Sequence, residues 1–201
     1  MPRISIWIAS TLAVITATTT AAASGTAPAV DQARQHVRIP AVSGSGHVYA
    51  VDGQDRIFTF QASGLALDGY EPAGVPGTSG TFTVEHYSDH SHAGGVVLRG
   101  HVDCLIVGGG VATFTGVIDK AAAFGTGQPD VSALVGVRRG FSVADPGHGR
   151  PDRIGYSWLI DPEDTTSTLP CQGPAPFSYV DEGGFHTTEW LPPEVTPGNG
   201  R

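Results

Sequence analysis

The sequence predicts an all-β fold, an antiparallel sandwich or partly open barrel of about seven or eight strands. Three observations carry this. Several short runs rich in Val, Ile, Phe, Tyr and Thr alternate apolar and polar residues with a period of two, the side-chain repeat of a strand with one buried face. Gly (28) and Pro (15) punctuate those runs, at about a fifth of the chain, below the level that marks disorder. No long segment repeats apolar residues at the 3.6 spacing of an amphipathic helix.

The elements follow in order. The run "GHVYAV" (46–51) leads through the turn signal "DGQD" into "RIFTFQA" (56–62). Residues 65–80, "LALDGYEPAGVPGTSG", read as a Gly/Pro loop, and "TFTVEHY" (81–87) alternates Phe82, Val84 and His86 against Thr and Glu. A long strand, "GVVLRGHVDCLIV" (95–107), has Gly100 as a bulge or bend. "GGG" (108–110) turns it into "VATFTGVID" (111–119). Residues 121–136 are expected to hold a short helix, and strands at 138–145, 152–160 and 184–191 close the set. The inner faces are assigned to Phe58, Phe60, Phe82, Val84, Val102, Ile106, Phe114, Phe141, Ile154, Tyr156 and Trp158.

At the N-terminus Arg3, the apolar run Ile4–Ile15 and the small residues Ala21–Ala23 have the layout of a secretory signal peptide, with cleavage expected after Ala23. The run is about 12 residues, short of the roughly 20 that span a bilayer. The expected organisation is a signal peptide at 1–23, a flexible lead-in at 24–42 with a helical turn near Asp31–Val37, a β-domain at 43–191 and a disordered tail at 192–201. The product is expected to be secreted, outside the cytoplasm, and not an integral membrane protein. "LPPEV" near the end only faintly resembles a wall-sorting signal.

The net charge is −8, Lys occurs once, at Lys120, and the largest basic cluster is Arg138-Arg139. A phosphate-backbone binder needs a basic face, so nucleic acid and anionic membrane surfaces are poor partners, and an envelope component is the expected one. The two cysteines, Cys104 and Cys171, are expected to form a disulfide in an exported chain, the alternative being two buried free thiols. Closing that loop of 67 residues is worth roughly 4 kcal/mol in the chain-entropy treatment.

The densest chemistry lies in "HYSDHSHAGG" (86–95), with His86, Asp89, His90 and His92. Two residues rise about 6.6 Å along a strand, so His90 and His92 can clamp one ion whose Zn–N bonds are about 2.0–2.1 Å. In a straight strand His86 would lie about 13 Å from His90, and its joining them requires a turn. Two readings stand. In one the stretch is a hairpin tip, Asp89 accepts backbone N–H groups, and His90 and His92 are largely exposed. The double change His90→Ala, His92→Ala then shifts stability by no more than about 0.5 kcal/mol. In the other His90 and His92, with His86 or Asp89, hold Zn²⁺ or Cu²⁺.

A second acidic loop, "VADPGHGRPDRIG" (143–155), offers Asp145 and Asp152 to Ca²⁺. The alternative is a hairpin turn with a surface Asp152–Arg153 pair. Enzymatic signatures are weak. The chain lacks a Gly-x-Ser-x-Gly elbow and a His-Glu-x-x-His helix, and "GGGVAT" enters a strand and is no dinucleotide fingerprint. Glu85, Asp89 and Asp103 could supply a glycosidase carboxylate pair by number only. An enzyme, with a polysaccharide hydrolase as the candidate, is therefore the weakest expectation.

The stretch "YSDHSHAGGVVLRGHVDCLIVGGGVATFTGVI" (87–118) resembles a hairpin of small secreted bacterial all-β domains of unknown function, which also occur as modules near the ends of bacterial surface proteins. Their pattern runs Tyr-x-Asp-His, then Gly-x-Val-x-Cys-Leu-x-Val-x-Gly-x-x-Ala-x-Phe-x-Gly. "SGSGHVYAVDGQDRIFTFQA", "GFSVADPGHGRPDRIGYSW" and "GGFHTT" resemble other strands and turns of the same domains, so the likeness spans most of 43–190. The resemblance implies a non-catalytic extracellular β-module and makes Asp89-His90 a turn device. His92 and "GGG" depart from the pattern.

Overall fold

A computed structural model describes residues 38–67, 77–158 and 165–189. The expected signal peptide, the turn at Asp31–Val37 and the tail at 192–201 lie outside the described residues. The lead-in expected to reach residue 42 ends earlier, since Ala41 and Val42 already pair in the first strand.

Ten strands form one antiparallel sheet: β1 (Ala41–Tyr49), β2 (Asp55–Ser63), β3 (Ala66–Leu67), β4 (Ser79–Tyr87), β5 (Gly95–Gly108), β6 (Val111–Phe124), β7 (Arg138–Ala144), β8 (Arg153–Tyr156), β9 (Ser178–Tyr179) and β10 (Glu182–Thr188). Their spatial order is β10-β1-β2-β4-β5-β6-β7-β8-β9, with β3 beside β5. Among the described residues there is no α-helix. Residues 121–124 extend β6, and the helix expected in 121–136 is a single 3-10 turn at Ser132–Leu134. Gly125, Gly127 and Pro129 break the stretch between them.

The sheet is curled into a half-barrel. Four strands separate β2 from β8 in the sheet, yet the Phe58 and Tyr156 rings lie 5.1 Å apart. Phe60 touches Phe114 (4.7 Å), Phe141 (5.2 Å) and Phe185 (5.4 Å), joining β2, β6, β7 and β10 through one aromatic core. The two edges meet in consecutive residues, because β9 pairs with β8 and β10 pairs with β1. Two carboxylates hold this junction. Asp152 Oδ2 accepts the backbone N–H of Phe185 (2.6 Å), and Asp145 Oδ2 accepts that of Thr187 (3.1 Å).

The inner-face assignment holds for ten of its eleven residues, and Ile106 is the exception at 49 % exposed. The cause is a bulge. The β5–β6 register slips between Val102 and Cys104, so Val102 opposes Gly116 while Leu105, not Ile106, opposes the buried Phe114. A one-residue slip reverses every later side chain. Cys104 thus points outward beside Thr115, where it is fully buried by Cys171. The two form a disulfide with Cα atoms 5.1 Å apart, and the Thr115 hydroxyl accepts the Cys171 N–H (3.1 Å). Cys104 and Ile106 thus share the outer face, and the inner-face assignment of Ile106 is corrected.

Candidate metal centre on the outer face of the sheet

Asp55 opens β2, just after the turn "DGQD". Even-numbered residues of β2 (Arg56, Phe58, Phe60) are buried inside the curl, so Asp55 faces outward, in register with Tyr49 of β1 and Tyr87 of β4. It is nonetheless only 2 % exposed, because three imidazoles cover it. His90 Nδ1 lies 2.5 Å from Oδ1, His92 Nε2 lies 2.8 Å from Oδ2, and His47 Nε2 lies 3.7 Å from Oδ2. Burial alone would push the Asp55 carboxyl up. The bonds from His92 and His90, helped by the charges of His90 and His47, outweigh it and hold the carboxyl below its usual range.

The β4–β5 hairpin brings His90 and His92 there. Asp89 makes an Asx turn, accepting the Ser91 N–H at 2.7 Å, and the Ser88 N–H closes on the Gly94 carbonyl at 3.0 Å. His92 follows with φ of 57°, a left-handed conformation that costs a non-glycine residue roughly 1–2 kcal/mol. That backbone folds the ring back, parallel to the Tyr87 ring at 3.8 Å with its Nε2 on Asp55. Strain of this kind persists where the surroundings impose it and gathers at functional positions. His47, from β1, packs at a tilt against Tyr49 with ring centroids 4.1 Å apart, and its Nε2 is buried with no hydrogen-bond partner.

The chemistry is a donor set for a borderline metal ion. One atom each from His47, Asp55 and His92 lie within 4.8 Å of one another. Bonds of 2.0–2.1 Å in tetrahedral geometry place ligands about 3.3 Å apart, between the 2.8 and 3.7 Å separations around Asp55 Oδ2. His90, on Oδ1, then holds the carboxylate from its other side.

This set differs from the sequence-based one. His86 points into the curl, where Nε2 meets Gln54 Oε1 at 2.5 Å. Burial, aided by the Arg56 charge and opposed by Asp52, lowers its pKa to about 4. Asp89 is engaged in its turn. His90 and His92 are exposed as the turn reading expects (59 % and 38 %), but they are bonded to a buried carboxylate, so their loss is not a free surface change. Asp55 and His47 went unassigned because their partners are distant in sequence; the available signal was an Asp opening an otherwise apolar strand. His101 pairs with Asp119 at 2.9 Å.

Asp145 and Asp152, the residues offered to Ca²⁺, are both engaged by backbone N–H groups. Their Oδ2 atoms accept β10 N–H groups, and Asp145 Oδ1 accepts the Gly147 N–H. The Asp152–Arg153 surface pair is replaced too: the Arg153 guanidinium lies 5.0 Å over the Tyr179 ring. Among the carboxylates considered for a hydrolase, Glu85 accepts the Tyr87 hydroxyl, and Asp103 accepts Thr115 Oγ1 (2.7 Å) and Arg138 Nε (2.6 Å).

No family model, curated protein or solved structure matches the chain. Among the described residues no helix is long and apolar enough to cross a membrane.

Proposed function

We propose that this is an exported, non-catalytic β-module of the cell envelope that binds one transition-metal ion, Zn²⁺ or Cu²⁺, through His47, Asp55 and His92, with His90 supporting the carboxylate. The observation that carries the reading is the convergence of three imidazoles on one buried Asp. Buried carboxylates are rare without a charged or metal partner, and imidazole with carboxylate suits these ions. Export rests on the signal-like layout of the N-terminal sequence, with which the Cys104–Cys171 pair is compatible, and the envelope role on the resemblance to surface-protein modules. With three protein ligands, a water or a donor from an envelope partner completes a fourth position.

The test is calorimetric titration of the full chain with Zn²⁺ and Cu²⁺, with capture from envelope material run with and without metal. The expected result is one ion per chain, lost in Asp55→Asn and His92→Ala and kept in His86→Leu and Asp89→Asn. Binding that is absent, or unchanged in Asp55→Asn, overturns the reading.

A further inference from the structure

The inner face of the sheet holds a second feature, independent of the metal reading. A cavity of about 140 Å³ opens on that face, reached by Gln54 of the turn before β2 and by Ser88 at the start of the β4–β5 hairpin. Its walls are apolar: Val84, Val96 and Leu98 from β4 and β5, Val131 and Leu134 around the 3-10 turn, and Trp158 after β8. Polar groups gather among Gln54, His86, Ser88, Gln128 and Arg139. Among the described lining residues there is no carboxylate.

The size is selective. An apolar protein cavity of about 150 Å³ accepts a benzene molecule, so this one has room for a single ring and cannot enclose the length of a long acyl chain. The charge is selective too. Arg139 lies over the Trp158 ring at 6.0 Å, and with no carboxylate among the lining residues an ammonium ligand would find no counter-charge there. The polar pair is oriented. Gln54 Oε1 accepts from Arg56 Nη2 (2.9 Å) and also meets His86 Nε2 (2.5 Å), so Nε2 carries the proton and Nδ1 remains an acceptor. An apolar cavity with a few placed polar groups is a recurrent small-molecule site. We propose that this cavity binds a compact, uncharged, single-ring molecule carrying one hydroxyl-type donor, its ring against Trp158 and the valine–leucine wall and its donor directed to the Gln54–His86 pair.

The experiment uses the full chain with EDTA present throughout, so that failure of the metal reading leaves this one testable. Phenol, benzene and 1-decanol are the probes, read by NMR shifts of the Trp158 indole and the methyls of Val96, Leu98, Val131 and Leu134. Phenol should saturate these shifts and bind roughly tenfold tighter than benzene, the worth of one hydrogen bond; 1-decanol should not saturate them. Val131→Phe, which fills the space, should weaken phenol at least tenfold, and His86→Leu should abolish its advantage over benzene. If Val131→Phe does not fold, Val96→Phe serves the same purpose. Absence of saturable shifts with phenol, equal binding of 1-decanol, or phenol affinity unchanged in the filled variant overturns the proposal.

Discussion

Acidification from pH 7 to pH 4 should destabilise the fold through His86 in particular. The folded-state pKa is lowered to about 4 from an ordinary 6.5, first by burial and then by the Arg56 charge. The unfolded chain therefore takes up a proton near pH 6.5 that the folded chain refuses until about pH 4. Stability from this residue is fully present above pH 6.5, declines as pH falls, and is exhausted once pH passes through the folded value. The gap of about 2.5 units at 1.36 kcal/mol each gives roughly 3.4 kcal/mol. The ring is half-buried, and solvent screening reduces this to about 1–2 kcal/mol. Urea unfolding at pH 7, 5.5 and 4 measures it, with His86→Leu as the reference, since the acidic losses at Asp52, Asp55 and Asp89 are common to both chains. The wild type should lose about 1–2 kcal/mol more than the variant over this range. Equal losses would show that His86 titrates normally and refute the reasoning.

Replacing Cys104 and Cys171 by Ser should lower unfolding free energy by up to about 4 kcal/mol, the chain-entropy value for a loop of 67 residues; an unchanged denaturant midpoint would deny the bridge a stabilising role. Phe60→Ala removes the ring that joins four strands and should cost about 3–5 kcal/mol by chemical denaturation. His90→Ala with His92→Ala strips Asp55 of its hydrogen-bond partners, so metal-free thermal unfolding should fall well beyond the change of an ordinary surface pair. Asp152→Ala should speed amide exchange at Phe185 while leaving β4 and β5 protected, since its carboxylate holds that N–H directly.

Strand positions were legible because period-two alternation and turn residues are local. "TFTVEHY" and "VATFTG" announce both a strand and its buried face, and Phe82, Val84, Ala112 and Phe114 are buried accordingly. The bulge at Asp103 was not legible: nothing in "HVDCLIV" says that one residue is left over, because the surplus is defined against β6. The two-residue strands β3 and β9 were missed because pairing, not propensity, defines them. For the candidate metal centre, the hairpin histidines were visible as a cluster, whereas Asp55 and His47 join them only through the pairing of β1, β2 and β4. A sheet of non-local ladders places its chemistry by register, and register is what a linear reading sees last.

The pairing of β1 with β10 sets a schedule for the chain. Ala41 faces Thr188 across that ladder, so nearly the whole described sequence must be available before β1 gains its second neighbour. A chain emerging N-terminus first, from a ribosome or a translocation pore, holds β1 with one side unpaired until the end. Contacts of this range make folding slow, in the millisecond-to-second class, and an open edge is the usual seed of misassembly between chains. Release of the C-terminal strand, rather than collapse of the aromatic core, then times completion of the sheet. A truncation ending before residue 182 should populate a compact, aggregation-prone state that an added 182–188 peptide can quench by occupying the vacant side of β1.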